Sequence, residues 1–115
     1  METLSAKRCR FTHDVALLIL QAEKLGYSCA IDQVKRTQLE ANANAASGVG
    51  IANSLHLIGL AADLLLYKDG SYLKGEQGYS DLGMWCESFS ASHAWGGRFK
   101  IKDYGHFSIE HNGVK

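Results

Sequence analysis

The sequence predicts an α+β fold, a small, mainly antiparallel sheet with helices packed against it. Three observations lead there. An apolar period of helical spacing runs through residues 12–25. An almost unbroken apolar run of strand length spans residues 60–67. Short helical and extended segments follow one another with no repeat, proline-rich linker or low-complexity block between them.

Taken in order, residues 12–25 read as the first helix. Thr12 suits the N-cap, Asp14 the positive end of the helix, and Gly26 the stop. Val15, Leu18, Ile19, Ala22 and Leu25 share one face and are expected in the core. Residues 27–31 read as a strand. Asp32 is placed to cap a second helix over residues 33–46, ended by Ser47 and Gly48, and residues 48–55 read as a loop. Residues 60–67 read as a buried strand, residues 68–71 as a turn, and Tyr72 and Leu73 as its return. A short helix over residues 80–89, capped by Ser80, is followed by an irregular Gly-rich and aromatic stretch, residues 93–105. A last strand covers residues 107–110.

The chain has 115 residues, the size of one compact domain covering 1–115. Lys+Arg and Asp+Glu are both 12, so no basic excess points to nucleic acid or an anionic membrane. A substrate must be gripped locally, in a pocket. Cys9, Cys29 and Cys86 are odd in number and lack metal-type spacing, which reads as free thiols. No apolar stretch is long enough to span a membrane, and the first ten residues lack a signal peptide's apolar centre. The expectation is a monomer made in the cytoplasm without an export signal of its own.

Asp63 is the first residue that demands chemistry. It stands alone in Leu60-Ala61-Ala62-Asp63-Leu64-Leu65-Leu66, where an unpaired carboxylate is expensive to bury. It needs a cation or dense hydrogen bonding. His56 precedes it by seven residues, and a turn at Gly59 brings the imidazole alongside. His106 follows Asp103 by three residues in a Gly-rich loop entering a strand. Two imidazoles and one carboxylate suit one zinc ion in a tetrahedral shell with a position left open. Asp103 then stands beside the metal, where it can take a proton from water and pass it to a leaving amine.

Two stretches carry a family resemblance. Ser54-Leu55-His56-Leu57-Ile58-Gly59-Leu60-Ala61-Ala62-Asp63 resembles the Ser-x-His-x-x-Gly-x-Ala-x-Asp signature of zinc D-alanyl-D-alanine carboxypeptidases, a family that includes phage endolysins cutting the L-alanyl-D-glutamate bond. Trp95-Gly96-Gly97-Arg98-Phe99, with Asp103, His106 and Phe107 beyond it, resembles the family's second signature. The resemblance implies the hedgehog/D,D-peptidase fold, zinc ligands at His56, Asp63 and His106, and a general base at Asp103. Val34-Lys35-Arg36-Thr37-Gln38 resembles the segment bearing an essential arginine, which implies that Arg36 holds the oxyanion. Ser54 is implied as a hydrogen-bond partner that orients the site. Gly59, Gly96 and Gly97 allow close turns.

Trp95 and His93 are placed near the substrate groove, with core packing for the former and an exposed loop for the latter as the plainer readings. His13 and His111 read as surface residues, and Asp69, Glu76 and Asp81 as solvated acids. The implied activity is hydrolysis of an amide in a peptidoglycan stem peptide, with L-alanyl-D-glutamate endopeptidase of a phage or prophage endolysin ahead of D-Ala-D-Ala carboxypeptidase. The substrate lies in the cell wall, so release by a separate holin is expected. A non-catalytic zinc module of the same fold is the rival that Asp103 argues against. A nuclease is the rival that the neutral charge argues against.

Overall fold

The computed structural model describes residues 2–33 and 55–115. Helix α1 covers Leu4–Lys24, strand β1 Ser28–Gln33, a 3₁₀ turn Leu55–Ile58 and strand β2 Ala61–Lys68. Strand β3 (Ser71–Tyr72), helix α2 (Tyr79–Glu87), strand β4 (His93–Trp95), a second 3₁₀ turn (Gly96–Arg98) and strand β5 (His106–Ile109) complete it. The strands form one antiparallel sheet in the order β1-β2-β5-β4, with β3 paired to the far end of β2. The α+β class and the antiparallel sheet are those expected from the sequence.

The pleat of β2 divides the molecule. Successive side chains on a strand point to opposite faces. Ala62, Leu64 and Leu66 are fully buried and join Phe11, Leu18 and Ala22 of α1 and Leu82 of α2 in one core. Asp63, Leu65 and Tyr67, in alternation with them, are only half-buried. The lone acid of the apolar run thus points away from the helices.

Helix α1 starts two turns earlier than expected. Thr3 is its N-cap, accepting from the Ala6 amide at 3.1 Å, whereas Thr12 lies inside the helix and donates its hydroxyl to the Arg8 carbonyl at 2.9 Å. The first turns carry Lys7, Arg8 and Arg10 and are largely exposed, so no apolar period marks them. Phe11 joins the core, while Leu25 is exposed beyond the helix end. Helix α2 begins after Gly78, not Ser80, and no side chain caps it. The stretch over residues 93–105, expected to be irregular, contains β4. That strand is held by pairing with β5, a long-range contact that leaves no local period. Gln33 closes β1 instead of opening a helix, and the remainder of the expected second helix, residues 34–46, lies outside the described residues.

Close packing between α2 and β4 depends on the absence of a side chain at Gly83, where a Cβ would run into the Trp95 indole. Gly83→Ala is expected to cost about 1–3 kcal/mol, the usual scale for overpacking a core. The midpoint of urea unfolding should fall accordingly. Gly75→Ala, where a Cβ meets nothing within 4 Å, should leave that midpoint unchanged.

Candidate metal centre

The antiparallel register of β2 and β5 sets Asp63 directly opposite His106. The 3₁₀ turn just before β2 supplies His56, which is almost completely buried, as is His106. One ligand atom from each of the three residues can be chosen so that all lie within 4.8 Å of one another. His56 Nε2 is 3.3 Å from Asp63 Oδ2, and His106 Nδ1 is 3.7 Å from Asp63 Oδ1. The rings meet edge to face, with centroids 5.5 Å apart.

Asp63 Oδ1 is buried and has no hydrogen-bond partner among the described residues. A buried carboxylate oxygen left in that state costs on the order of 1–3 kcal/mol or more. Burial by itself raises the Asp63 carboxyl, yet the imidazoles of His106 and His56 outweigh it and hold the group below the usual carboxylate range. An ionised carboxylate with an imidazole nitrogen near each oxygen, and one oxygen lacking a donor among the described residues, fits a divalent cation. The donor set of two nitrogens and one carboxylate oxygen suits zinc.

Ser108, fully buried on β5, lies two residues beyond His106 on the same strand face, with its Oγ 3.0 Å from His106 Nε2. When Nδ1 of His106 offers its lone pair to a metal, Nε2 carries the proton and donates it to Ser108. That contact fixes the tautomer and the ring plane. Sequence reasoning missed Ser108. The available signal was a hydroxyl at the period-2 position after a ligand entering a strand.

Asp103 arrives on the loop before β5. Its amide donates to the Gly96 carbonyl at 3.0 Å, and its own carbonyl accepts from the His106 amide at 3.1 Å. A Cβ on Gly96 would collide with the Asp103 carbonyl, so the loop can lie this close only over a glycine. The Asp103 side chain is 56% exposed, and its Oδ2 stands 3.9 Å from His106 Nδ1. That is too long for a hydrogen bond and close enough to share the space in front of the imidazole. Asp63 and Asp103 both line a cleft of about 280 Å³.

His93 and Trp95 do not line the cleft shared by Asp63 and Asp103. His93 is buried on β4, where Nε2 donates to Asp14 Oδ2 at 2.7 Å and Nδ1 lies 2.7 Å from Ser90 Oγ. It ties β4 to α1 and is not the exposed loop histidine expected from the sequence. Trp95 is 3% exposed and packs against α2. Its indole N–H donates to the Tyr104 carbonyl at 2.8 Å and so braces the loop bearing Asp103. Arg36 and Ser54 lie outside the described residues. His111, expected at the surface, is half-buried with its Nδ1 3.1 Å from Lys7 Nζ. The cysteines are unbridged, and burial pushes the Cys29 thiol up to about 11 and that of Cys86 up to about 12, which leaves neither as a ready nucleophile.

A profile described as D-alanyl-D-alanine carboxypeptidase matches residues 47–109, more than half of the chain and the whole of the cluster just described. The chain belongs to that family. It is a metallopeptidase by that membership and by its His-Asp-His cluster. Among solved structures, this carboxypeptidase-family chain is similar to the L-Ala D-Glu endopeptidase ChiX of Serratia marcescens. The TM-score is 0.68 at 20% identity, covering 84% of this chain and 78% of that one. It is also similar to a zinc-bound mutant of VanY, a vancomycin-resistance D,D-pentapeptidase from a VanB-type cassette. There the TM-score is 0.57 at 18% identity, covering 87% of this chain and 70% of the other. No curated protein matches the sequence. Among the described residues no helix is long and apolar enough to cross a membrane.

Removing the Ser108 hydroxyl strands the Nε2 proton of His106 in a buried site. Ser108→Ala is therefore expected to weaken divalent-metal affinity by about 10- to 100-fold, the scale seen when such supporting contacts are lost. Competition against a chromophoric chelator measures it directly. An unchanged dissociation constant would leave Ser108 with packing alone.

Proposed function

We propose that this chain is a zinc peptidase that hydrolyses peptidoglycan stem peptides, cutting the L-alanyl-D-glutamate bond in the manner of a phage or prophage endolysin. One observation carries the reading. The Asp63 carboxylate, one oxygen of which is buried with no hydrogen-bond donor among the described residues, lies against two imidazoles and lines a cleft that a second carboxylate, Asp103, also lines. A purely structural metal site would not place an exposed acid beside its ligands.

His56 through Nε2, Asp63 through its carboxylate and His106 through Nδ1 would hold the ion. When bound, zinc supplies a Lewis acid that polarises a carbonyl and makes water more acidic. Asp103 faces the same space from the solvent side, so its carboxylate can take a proton from the attacking water and deliver it to the departing amine. Its loop is clamped through the Gly96 and Tyr104 carbonyls, which holds the acid within reach of both. Arg36, carried by the resemblance of its segment, steadies the negative charge that develops on the carbonyl oxygen. The description of the matched family supports a second reading, removal of a terminal D-alanine. Digesting purified peptidoglycan and identifying the new amine and carboxyl termini by mass spectrometry separates the two. Release of free D-alanine with no new termini within the stem peptide would favour the second, and a digest with neither product would sink both.

Asp103→Asn is nearly isosteric and cannot accept a proton at neutral pH. It should keep the fold and stoichiometric zinc yet lose on the order of 10²-fold or more in wall-lytic activity. His56→Ala, Asp63→Ala and His106→Ala should lose zinc and activity together. Atomic absorption and turbidity loss on the same samples decide it. Loss of zinc in Asp103→Asn would make that residue a ligand, and full activity there would assign the proton transfer elsewhere.

Arg36→Ala should lower kcat by roughly 10²-fold with zinc content intact, the usual effect of removing one oxyanion donor. Unchanged turnover would return Arg36 to an ordinary solvated side chain.

A further inference from the structure

The cleft that holds Asp63 and Asp103 continues toward the β2–β3 hairpin, where Tyr72 and Lys74 line it, and Lys102 lines it from the loop before β5. Among the described residues, neither Lys74 nor Lys102 makes an ion pair or a side-chain hydrogen bond, although three carboxylates, those of Asp32, Asp63 and Asp103, line the same cleft. A divalent cation on Asp63 tips this lining to a net positive charge. Lys102 and Asp103, neighbours in the chain, line the same cleft, so a cation faces the space in which Asp103 would protonate the departing amine.

Both bonds considered above share one feature on that side. In D-Ala-D-Ala the residue that leaves with the amine bears a free α-carboxylate. In the L-alanyl-D-glutamate bond it does too, because that glutamate is joined onward through its γ-carboxyl. The carboxylate is therefore one carbon from the nitrogen that Asp103 protonates. Amidation of that group, giving D-isoglutamine, removes the charge and keeps the shape.

We infer that Lys74 and Lys102 form a carboxylate subsite on the leaving-group side of the cleft, which makes the enzyme selective for stem peptides whose α-carboxylate is free over those in which it is amidated. The inference rests on the proposed peptidase reading for the identity of the ligand. Its physical basis is a charge-assisted contact, stronger than a neutral one and lost with the charge.

The probe is the dipeptide γ-D-glutamyl-L-lysine and its α-amide, each titrated calorimetrically onto zinc-loaded enzyme. Wild type should bind the carboxylate form on the order of 10-fold more tightly than the amide, and higher salt should narrow the gap. The double variant Lys74→Ala/Lys102→Ala should bind the two forms equally, and Lys74→Arg/Lys102→Arg should restore the preference. Both lysines are exposed, so folding and zinc content should be unaltered. A wild type without preference overturns the subsite, as does a preference that survives in the double alanine variant. Failure of the peptidase reading shows elsewhere, as peptidoglycan digests without new amine termini, and leaves the binding comparison interpretable.

Discussion

A carboxylate placed between the fully buried Ala62 and Leu64 constrains everything around it. The pleat turns Asp63 off the helix-packed face, but not into open water, since its Oδ1 is buried. An ion in that position needs compensation from nearby positive groups or a metal. The compensation comes from two imidazoles delivered by different devices. One sits on the strand paired directly opposite, the other on a tight turn immediately upstream. Neither device works without β2 in its present register, because a slip of one residue would carry Asp63 into the core.

The site divides its duties between rigid and supported parts. The three clustered residues lie on β2, β5 and a 3₁₀ turn, elements whose backbones are fixed by the sheet or packed against it. Asp103 sits on a loop, but that loop is pinned from below by Gly96 and from the side by the Trp95 indole. Trp95 is itself wedged against Gly83 of α2. On the far edge, the buried Asp14–His93 pair fastens β4 to α1, and β4 in turn pairs with the strand that carries His106. Core packing thus reaches the site through backbone contacts, which is how a small protein keeps a functional group within a fraction of an ångström of its working position.

Much of this was legible in the sequence because it broke a local rule. Asp63 was conspicuous as the one acid in an apolar run, and its spacing from His56 together with the Asp103–His106 pair suggested a shared ion. The strands β1, β2 and β5 and the hairpin showed themselves by composition and turn residues. What escaped was set by tertiary contact. His93 finds its partner 79 residues away in the chain, and no local pattern encodes that distance. The start of α1 is exposed and lacks an apolar stripe, so no local period marks it. Ser108 looked like any strand serine until the register put it behind His106. Serine favours the cap position, which makes Ser80 the expected cap of α2, whereas Gly78 occupies that place.

His56 and His106 lie far apart in the chain, with Asp63 near the first and the loop-borne Asp103 near the second. An ion gripping all three clustered residues would act as a reversible cross-link in a chain whose cysteines are unbridged. An ion that binds the assembled site and is released on unfolding stabilises the native state by mass action, without restricting the unfolded chain. Folding and metal capture are then one linked equilibrium, and the free concentration of the ion in the compartment becomes a determinant of how much of the protein is folded at all.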